Sequence, residues 1–189
     1  MESRSKNDFQ NTMGRPQMLF PWPTVGGYDF YEVLSALQKS IRRGFEADAV
    51  FWATELYLSG YENQAWDRFH VIASEDVGLA YPEMVADIQA LHNDWKTRRR
   101  DGDGRLFFTQ AVLLLVRAPK SRIVDHALMV YFEGPREKKP IPDYALDKHT
   151  SRGRRLGRGH SHFFAEGAVL NSKTLDDPYE EEARKIRHD

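Results

Sequence analysis

Cysteine is absent from this chain of 189 residues. That excludes disulfides, thiolate nucleophiles, iron–sulfur clusters and cysteine-ligated zinc. It also fits a reducing compartment, so a cytoplasmic location is expected. No run nears the roughly 18 consecutive apolar residues of a membrane span. The longest, Ala111 to Val116, is short enough for a buried core segment. The N-terminus lacks the apolar region of a signal peptide, so no membrane association is expected. Net charge is also lacking. With 27 basic and 28 acidic residues the formal charge is -1, so overall charge favours no class of partner.

The signatures of nucleotide chemistry are missing as well. A phosphate-binding loop needs Gly, four residues, then Gly-Lys-Ser or Gly-Lys-Thr, so that backbone N–H groups and a lysine cradle phosphates. No such string occurs. Gly157-Arg158-Gly159-His160 follows no strand and lacks the third glycine of a dinucleotide fingerprint. Asp101-Gly102-Asp103-Gly104-Arg105 places Arg105 where a calcium loop needs an oxygen ligand, and reads as a solvated helix–helix turn. Ser74, Glu75 and Asp76 lie too close together to form a nucleophile–base–orienter set alone, and no nucleophile elbow is present. No catalytic residue and no cofactor are expected, and the chain reads as a non-enzyme.

What is present is helical periodicity. Asp29-Phe30-Tyr31-Glu32 has the form of a capping box, followed by Phe30, Val33, Leu34, Leu37 and Ile41 on one face until Gly44. Ala49, Val50, Ala53, Leu56 and Tyr57 repeat the pattern up to Gly60. Trp66, Phe69, Ile72 and Ala73 mark a third helix that runs out near Gly78. Pro82 suits the first position of a fourth, bearing Met84, Val85, Ile88, Leu91 and Trp95. A fifth, Leu106 to Val116, is apolar nearly all round and is expected at the centre. After Pro119, Ser121 can cap a sixth carrying Ile123, Ala127, Leu128 and Tyr131, closed by Gly134-Pro135. No segment alternates with the period of a strand. The predicted fold is all-α, built from stacked antiparallel helical hairpins because the connections are short.

Three regions follow from this pattern. Residues 1–27 form an N-terminal arm containing Phe20-Pro21-Trp22-Pro23, where the prolines favour extended backbone and packing on the arm's own domain or a partner. Residues 28–134 form the helical core. Residues 135–189 are a basic extension: Pro140 and Pro142 set an extended entry, residues 143–153 form a short helix, and the Gly-Arg stretch 153–159 is a loop. Asp177-Pro178-Tyr179-Glu180 then opens a terminal helix through Arg187.

The extension carries the best candidate binding surface. Lys148, Arg152, Arg154, Arg155 and Arg158 fall within eleven residues without an acid among them. Forked arginine donors beside glycines suit phosphate contacts, giving sequence-independent DNA affinity that falls with salt. Arg98, Arg99 and Arg100 make a second run. Two plainer readings compete for the cluster: pairing with the acidic segment 176–182, or a solvated rim around a subunit interface. His149, His160 and His162 are histidines without a defined third ligand, Glu166 being only a loose candidate. They read as hydrogen-bonding imidazoles, with no metal expected, and a small metal-dependent hydrolase is the remote alternative.

Four strings, in order, resemble the helical C-terminal module of the replication-associated recombination ATPases and their Werner-helicase-interacting relatives. Ser35, Lys39, Ser40, Ile41 and Arg42 look like the opening helix of that module, and Asp48, Ala49 and Trp52 like its second. Ala73 to Pro82, with Ser74, Glu75, Asp76, Gly78 and Pro82, is similar to its Ala-Ser-Glu-Asp-Ile-Gly-Leu-Ala turn. Ala118 to Ser121, with Pro119, Lys120 and Ser121, is similar to its Ala-Pro-Lys-Ser turn. Pro140, Pro142 and Leu156-Gly157-Arg158-Gly159 resemble its terminal Pro-x-Pro and Leu-Gly-x-Gly stretch. The likeness covers about residues 28–187, although no family motif is matched past Gly159.

The resemblance implies a fold similar to the clamp-loader collar, assembly into a homo-tetramer, and a role in DNA replication, recombination or repair. It implies as partners a separately encoded AAA+ ATPase or single-stranded-DNA-binding protein, and DNA. In the family a clamp-loader-like ATPase domain precedes this module; the expectation here is that the arm stands in its place. The expected function is non-catalytic oligomerisation and binding in DNA maintenance, with direct nucleic-acid binding as the alternative.

Overall fold

Asp29 starts the first helix. Its carboxylate accepts from the Glu32 amide at 3.0 Å, while Glu32 makes no return bond, so half of the expected capping box forms. In the computed structural model, which describes residues 23–172 and 175–187, α1 runs from Phe30 to Arg43 and ends at Gly44. Its buried face is Phe30, Val33, Leu34, Leu37 and Ile41, as the spacing predicts. Most of the arm, including Phe20, Pro21 and Trp22, lies outside the described residues.

Helix α2 (Glu46–Leu58) packs on α1 through Ala49, Ala53 and Leu56. Helix α3 (Glu62–Ile72) contributes Ala65, Trp66, Phe69 and Ile72, α4 (Met84–Arg98) contributes Met84, Ile88, Leu91 and Trp95, and α5 (Gly104–Arg117) pairs with α4. Trp66 sits at the centre with no exposed surface, its ring 5.8 Å from Phe108 and 5.9 Å from Trp95. Burial of such aromatic faces, together with the aliphatic side chains around them, drives closing of the bundle. Among the described residues every regular element is helical, so the all-α expectation holds.

Three departures from the sequence reading matter. Pro82 lies in a turn, and α4 begins at Met84 with no side-chain cap. Helix α5 is not buried all round: Phe108, Ala111, Val112, Leu115 and Val116 face the core, but Leu106 is 66% exposed. Helix α6 (Ile123–Leu128) and the π turn Met129–Glu133 that continues it bury no residue at all. Ser121 does not cap that helix in the ordinary way, since its hydroxyl reaches only the Ile123 amide, at 3.4 Å.

The chain divides into two compact units, 1–135 and 136–189. In the second, Thr150 caps α7 (Ser151–Arg155), accepting from the Gly153 amide at 2.9 Å. The Gly-Arg stretch is therefore helical in its first part rather than a loop. Gly153 is buried there, and a Cβ on it would lie 1.8 Å from the Asp147 carbonyl oxygen. Helix α8 (His160–His162) passes into a π turn, Phe163–Gly167. Helix α9 runs Glu180–Ile186, two residues later than Pro178 would place its start, although Asp177 still accepts from the Tyr179 amide at 2.9 Å.

Candidate functional site

The two most distinctive turns of the sequence meet in space. Residues Ala73–Val77 form a π turn at the end of α3, and its widened backbone brings two successive acids, Glu75 and Asp76, to one side. In a regular helix consecutive side chains diverge by about 100°. Asp76 is wholly buried. Its carboxylate pairs with Arg42 Nε and accepts from Gln38 Nε2 at 3.0 Å, while Arg42 Nη2 donates to Glu75 at 2.9 Å. Arg68 completes the shell by donating to the Gln38 side-chain oxygen at 2.9 Å. The Asp76 carboxylate and the Gln38 amide thereby find partners, the condition under which buried charge is tolerated, while the buried Nε of Arg122 beside them has none.

The Ala-Pro-Lys-Ser turn docks on this patch. The Ser121 amide donates to the Asp76 carbonyl at 2.8 Å. Gly78, at φ +49° and ψ -129°, comes so close that a Cβ would lie 3.1 Å from the Ser121 carbonyl oxygen. Only glycine occupies that backbone region readily. Lys120 turns back, its ammonium donating to the Val116 carbonyl at 3.1 Å, and burial pushes it below its ordinary range while Asp76 partly offsets this. Arg122 pairs with Asp125 and lies 3.6 Å from Glu75. Ser74 is exposed and stands outside the network. The arrangement has no open cleft and no nucleophile beside a base; chemically it is a clamp that fixes where α6 leaves the bundle.

That clamp projects an apolar segment into solvent. Val130 is 62% exposed, Tyr131 68% and Phe132 83%, with Ile123, Leu128 and Met129 also exposed beside them. Next to the same turns lies an open groove of ≈ 560 Å³ between α4 and α5, walled by Tyr81, Met84, Leu106, Leu113, Leu114 and Pro119. Two apolar surfaces thus flank one polar clamp.

The second unit holds the five predicted phosphate-binding residues, and they do not act alike. Arg158 is committed internally: Nη1 donates to the carbonyls of Asp143 and Leu146 at 3.0 and 2.9 Å, and Nη2 to the Asp143 carboxylate at 2.6 Å. This guanidinium holds the Asp143 carboxyl below its usual range. Arg154 donates to the carbonyls of Lys148 and His149, both at 3.2 Å. Lys148 reaches His160 Nε2. Arg152 and Arg155 are exposed and, among the described residues, their guanidinium groups make no ion pair or hydrogen bond. His149 binds the Asp147 carboxylate at 2.9 Å, and the buried Nδ1 of His162 has no hydrogen-bond partner. Among the described residues, no three His, Cys, Asp or Glu side chains converge to hold a metal, Glu166 included.

Sequence reasoning missed one pair. His70 Nε2 and His92 Nδ1 lie 2.9 Å apart, and His92 stacks on Trp66 with ring centres 4.6 Å apart and 7° between planes. Burial, then Lys96 and His70, lowers the His92 pKa to about 4. The signal was its place on the Ile88–Trp95 stripe of α4, which predicts an inward imidazole.

The sequence that builds these turns matches one known domain. The description "MgsA AAA+ ATPase C terminal" matches residues 45–184, well over half of the chain. This chain belongs to that family. The match carries the likeness through the region past Gly159 that motifs alone did not reach. Replication-associated recombination protein A of Haemophilus influenzae is 31% identical over 147 residues, covering 74% of this chain and 32% of that protein. The Bacillus subtilis protein of the same name is 33% identical over 158 residues, 78% of this chain and 36% of its own length. ATPase WRNIP1 of Dictyostelium discoideum is 30% identical over 173 residues, 83% of this chain and 19% of its own. The chain therefore spans about a third of the length of the bacterial relatives it matches, and the match is to the C-terminal, non-ATPase part of the family's AAA+ proteins. No helix among the described residues is long and apolar enough to cross a membrane.

Proposed function

We propose that this chain is a non-catalytic assembly module of DNA replication and recombination, similar to the clamp-loader collar, which self-associates through the apolar face of α6 and its π turn. The observation that carries this reading is the absence of any buried residue across Ile123–Glu133, a stretch rich in large apolar side chains. A contiguous apolar surface of that kind on a folded bundle marks a place where another protein sits. The polar clamp at Asp76 gives the projection a fixed direction, which a specific interface needs. The family resemblance supports four copies per assembly, and the relatives' names support a setting in recombination associated with replication. A separately encoded AAA+ ATPase or a single-stranded-DNA-binding protein is the heterologous partner this reading allows. Light scattering from the whole chain at micromolar concentration tests it: a mass near four times 21.9 kDa is expected, and a strict monomer refutes self-assembly.

A second reading is favoured by Arg152 and Arg155, whose exposed guanidinium groups make no ion pair among the described residues and are the members of the basic cluster best placed to take phosphate. Under it the chain binds DNA directly and without sequence preference.

A further inference from the structure

We propose that the corner joining α4 to α5 binds single-stranded nucleic acid. Arg98, Arg99, Arg100 and Arg105 take the phosphates, and a recess beside Arg105 takes one base. This corner belongs to the first compact unit, whereas Arg152 and Arg155 belong to the second. It does not depend on self-association through α6.

Arginines elsewhere in the first unit are committed. Arg42 pairs with Asp76, Arg117 with Glu46 and Arg122 with Asp125, while Arg68 donates to the Gln38 side chain and Arg43 to the Lys39 carbonyl. The four at the corner are exposed and, among the described residues, their guanidinium groups make no ion pair or hydrogen bond. From Lys96 to Arg105 five cations stand against two acids, Asp101 and Asp103. The dipole of α4 favours cations at its C-terminal end, which accounts for Arg98. It does not account for Arg105. That residue sits in the first turn of α5, where the dipole opposes a cation and no acid is present in the turn. A cation kept at the unfavourable end of a helix, beside three more, points to an anion from outside.

The corner holds these groups in place. Gly102, at φ +86°, turns the chain, and the buried Gly104 presses on Arg99 so closely that a Cβ would lie 2.8 Å from the Arg99 Cα. That approach joins Arg105 to the run at 98–100. The Arg99 guanidinium lies over the Trp95 ring, 5.2 Å from its centre, which limits its freedom before any ligand arrives. After Arg98 the chain tightens into a 3-10 turn, Arg99–Asp101, in which successive side chains diverge by about 120°. Arg98 and Arg100 therefore fan to either side of Arg99. Such a fan follows a row of phosphates rather than one, and the arginine fork matches phosphate oxygens.

The recess next to Arg105 favours nucleic acid over other polyanions. It measures ≈ 150 Å³ and is walled by Tyr57, Phe108, Leu58, Thr54 and Thr109. The smallest drug-sized pockets hold about 300 Å³, so this one has room for a single flat ring. Tyr57 and Phe108 pack edge to face with ring centres 4.9 Å apart, and Thr54 and Thr109 supply hydroxyls. An unpaired base offers a π face and polar edges to such walls, whereas the bases of a duplex are already stacked on one another. Arginines beside aromatic side chains hold single strands without sequence preference.

Fluorescence anisotropy of a labelled oligothymidylate, titrated with the whole chain over a salt series, tests this site. Arg98→Glu with Arg100→Glu is expected to weaken binding at least about tenfold near 0.1 M salt and to lower the log–log salt slope by about 1.4. Arg98→Gln with Arg100→Gln, checked for unchanged circular dichroism, is expected to give the same fall in slope without reversing charge. Lys39→Glu with Arg43→Glu, exposed on α1, makes the same change in net charge and is expected to keep affinity within about twofold. A hairpin duplex is expected to compete at least about tenfold less well than the oligothymidylate. A chain carrying Arg152→Glu and Arg155→Glu is expected to keep the corner-dependent part of binding, which separates this site from the second unit's cluster. Equal loss in the α1 control assigns the effect to net charge and overturns the proposal. So does an unchanged slope in both corner variants, equal binding of strand and duplex, or loss of all binding with Arg152→Glu and Arg155→Glu.

Discussion

The amide of Ser121 donates to the carbonyl of Asp76 at 2.8 Å, joining two turns that lie more than forty residues apart in sequence. Through that bond the direction of α6 is set by the buried carboxylate of Asp76 and, behind it, by Arg42 and Gln38 on α1. The projecting apolar segment is thus tied to the first helix of the bundle.

Removing the carboxylate should be costly. Asp76→Ala leaves Arg42 and Gln38 facing a buried void, and breaking such a pair is expected to cost about 3 kcal/mol. Denaturant unfolding measures it. Arg42→Ala combined with Asp76→Ala should cost less than the two single changes added together, because both remove the same interaction.

Gly78→Ala probes the close approach of the two turns. The new methyl would meet the Ser121 carbonyl oxygen at 3.1 Å, on a backbone at φ +49° that alanine adopts poorly. A loss of about 1–3 kcal/mol is expected. It should be accompanied by faster amide exchange at Ser121, the reporter of the docked turn, and slow exchange there would contradict the docking.

The His70–His92 pair, with His92 buried, makes stability depend on acid. In the folded state the His92 pKa is about 4, below the ordinary 6.5, so the unfolded chain binds the proton more readily. Stability from this group is complete above pH 6.5 and is lost as pH falls from 6.5 towards 4, at no more than about 1.4 kcal/mol per pH unit. Lys96 and Asp67 are the charged groups that act on the pair, in opposite directions. His92→Phe keeps a ring against Trp66 and should flatten this limb of the stability–pH curve.

Within the basic cluster the structure separates two classes of arginine. Arg152→Glu with Arg155→Glu should leave the second unit folded and, if DNA is bound there, reduce the log–log salt slope of binding by about 2. Arg158→Ala should instead loosen that unit, since its guanidinium ties Asp143 and Leu146 together. Circular dichroism alongside a salt titration separates the two effects.

What was legible in the sequence follows from how local each signal is. The face of α1 and the inward Trp66, Phe69 and Ile72 could be read because helical spacing alone decides them. The turns at 73–82 and 118–121 could be recognised as motifs, but nothing local says that they touch. That contact depends on the path of α4 and α5 between them. The apolar residues of α6 could be read from the sequence, but not their exposure, for the same reason: an apolar stripe records that a side is covered, not which molecule covers it. The basic cluster looked uniform because composition does not reveal that Arg158 folds back on backbone carbonyls.

The central claim is that the apolar projection from α6 holds copies of this chain together. Sedimentation equilibrium of the native chain, set against Val130→Asp with Phe132→Asp, tests it directly. Both side chains are exposed, so helix content should be unchanged in the double variant. The account predicts a self-associated native protein and a variant at 21.9 kDa. A native chain that stays at 21.9 kDa at every concentration, or a variant that associates as the native chain does, would contradict it.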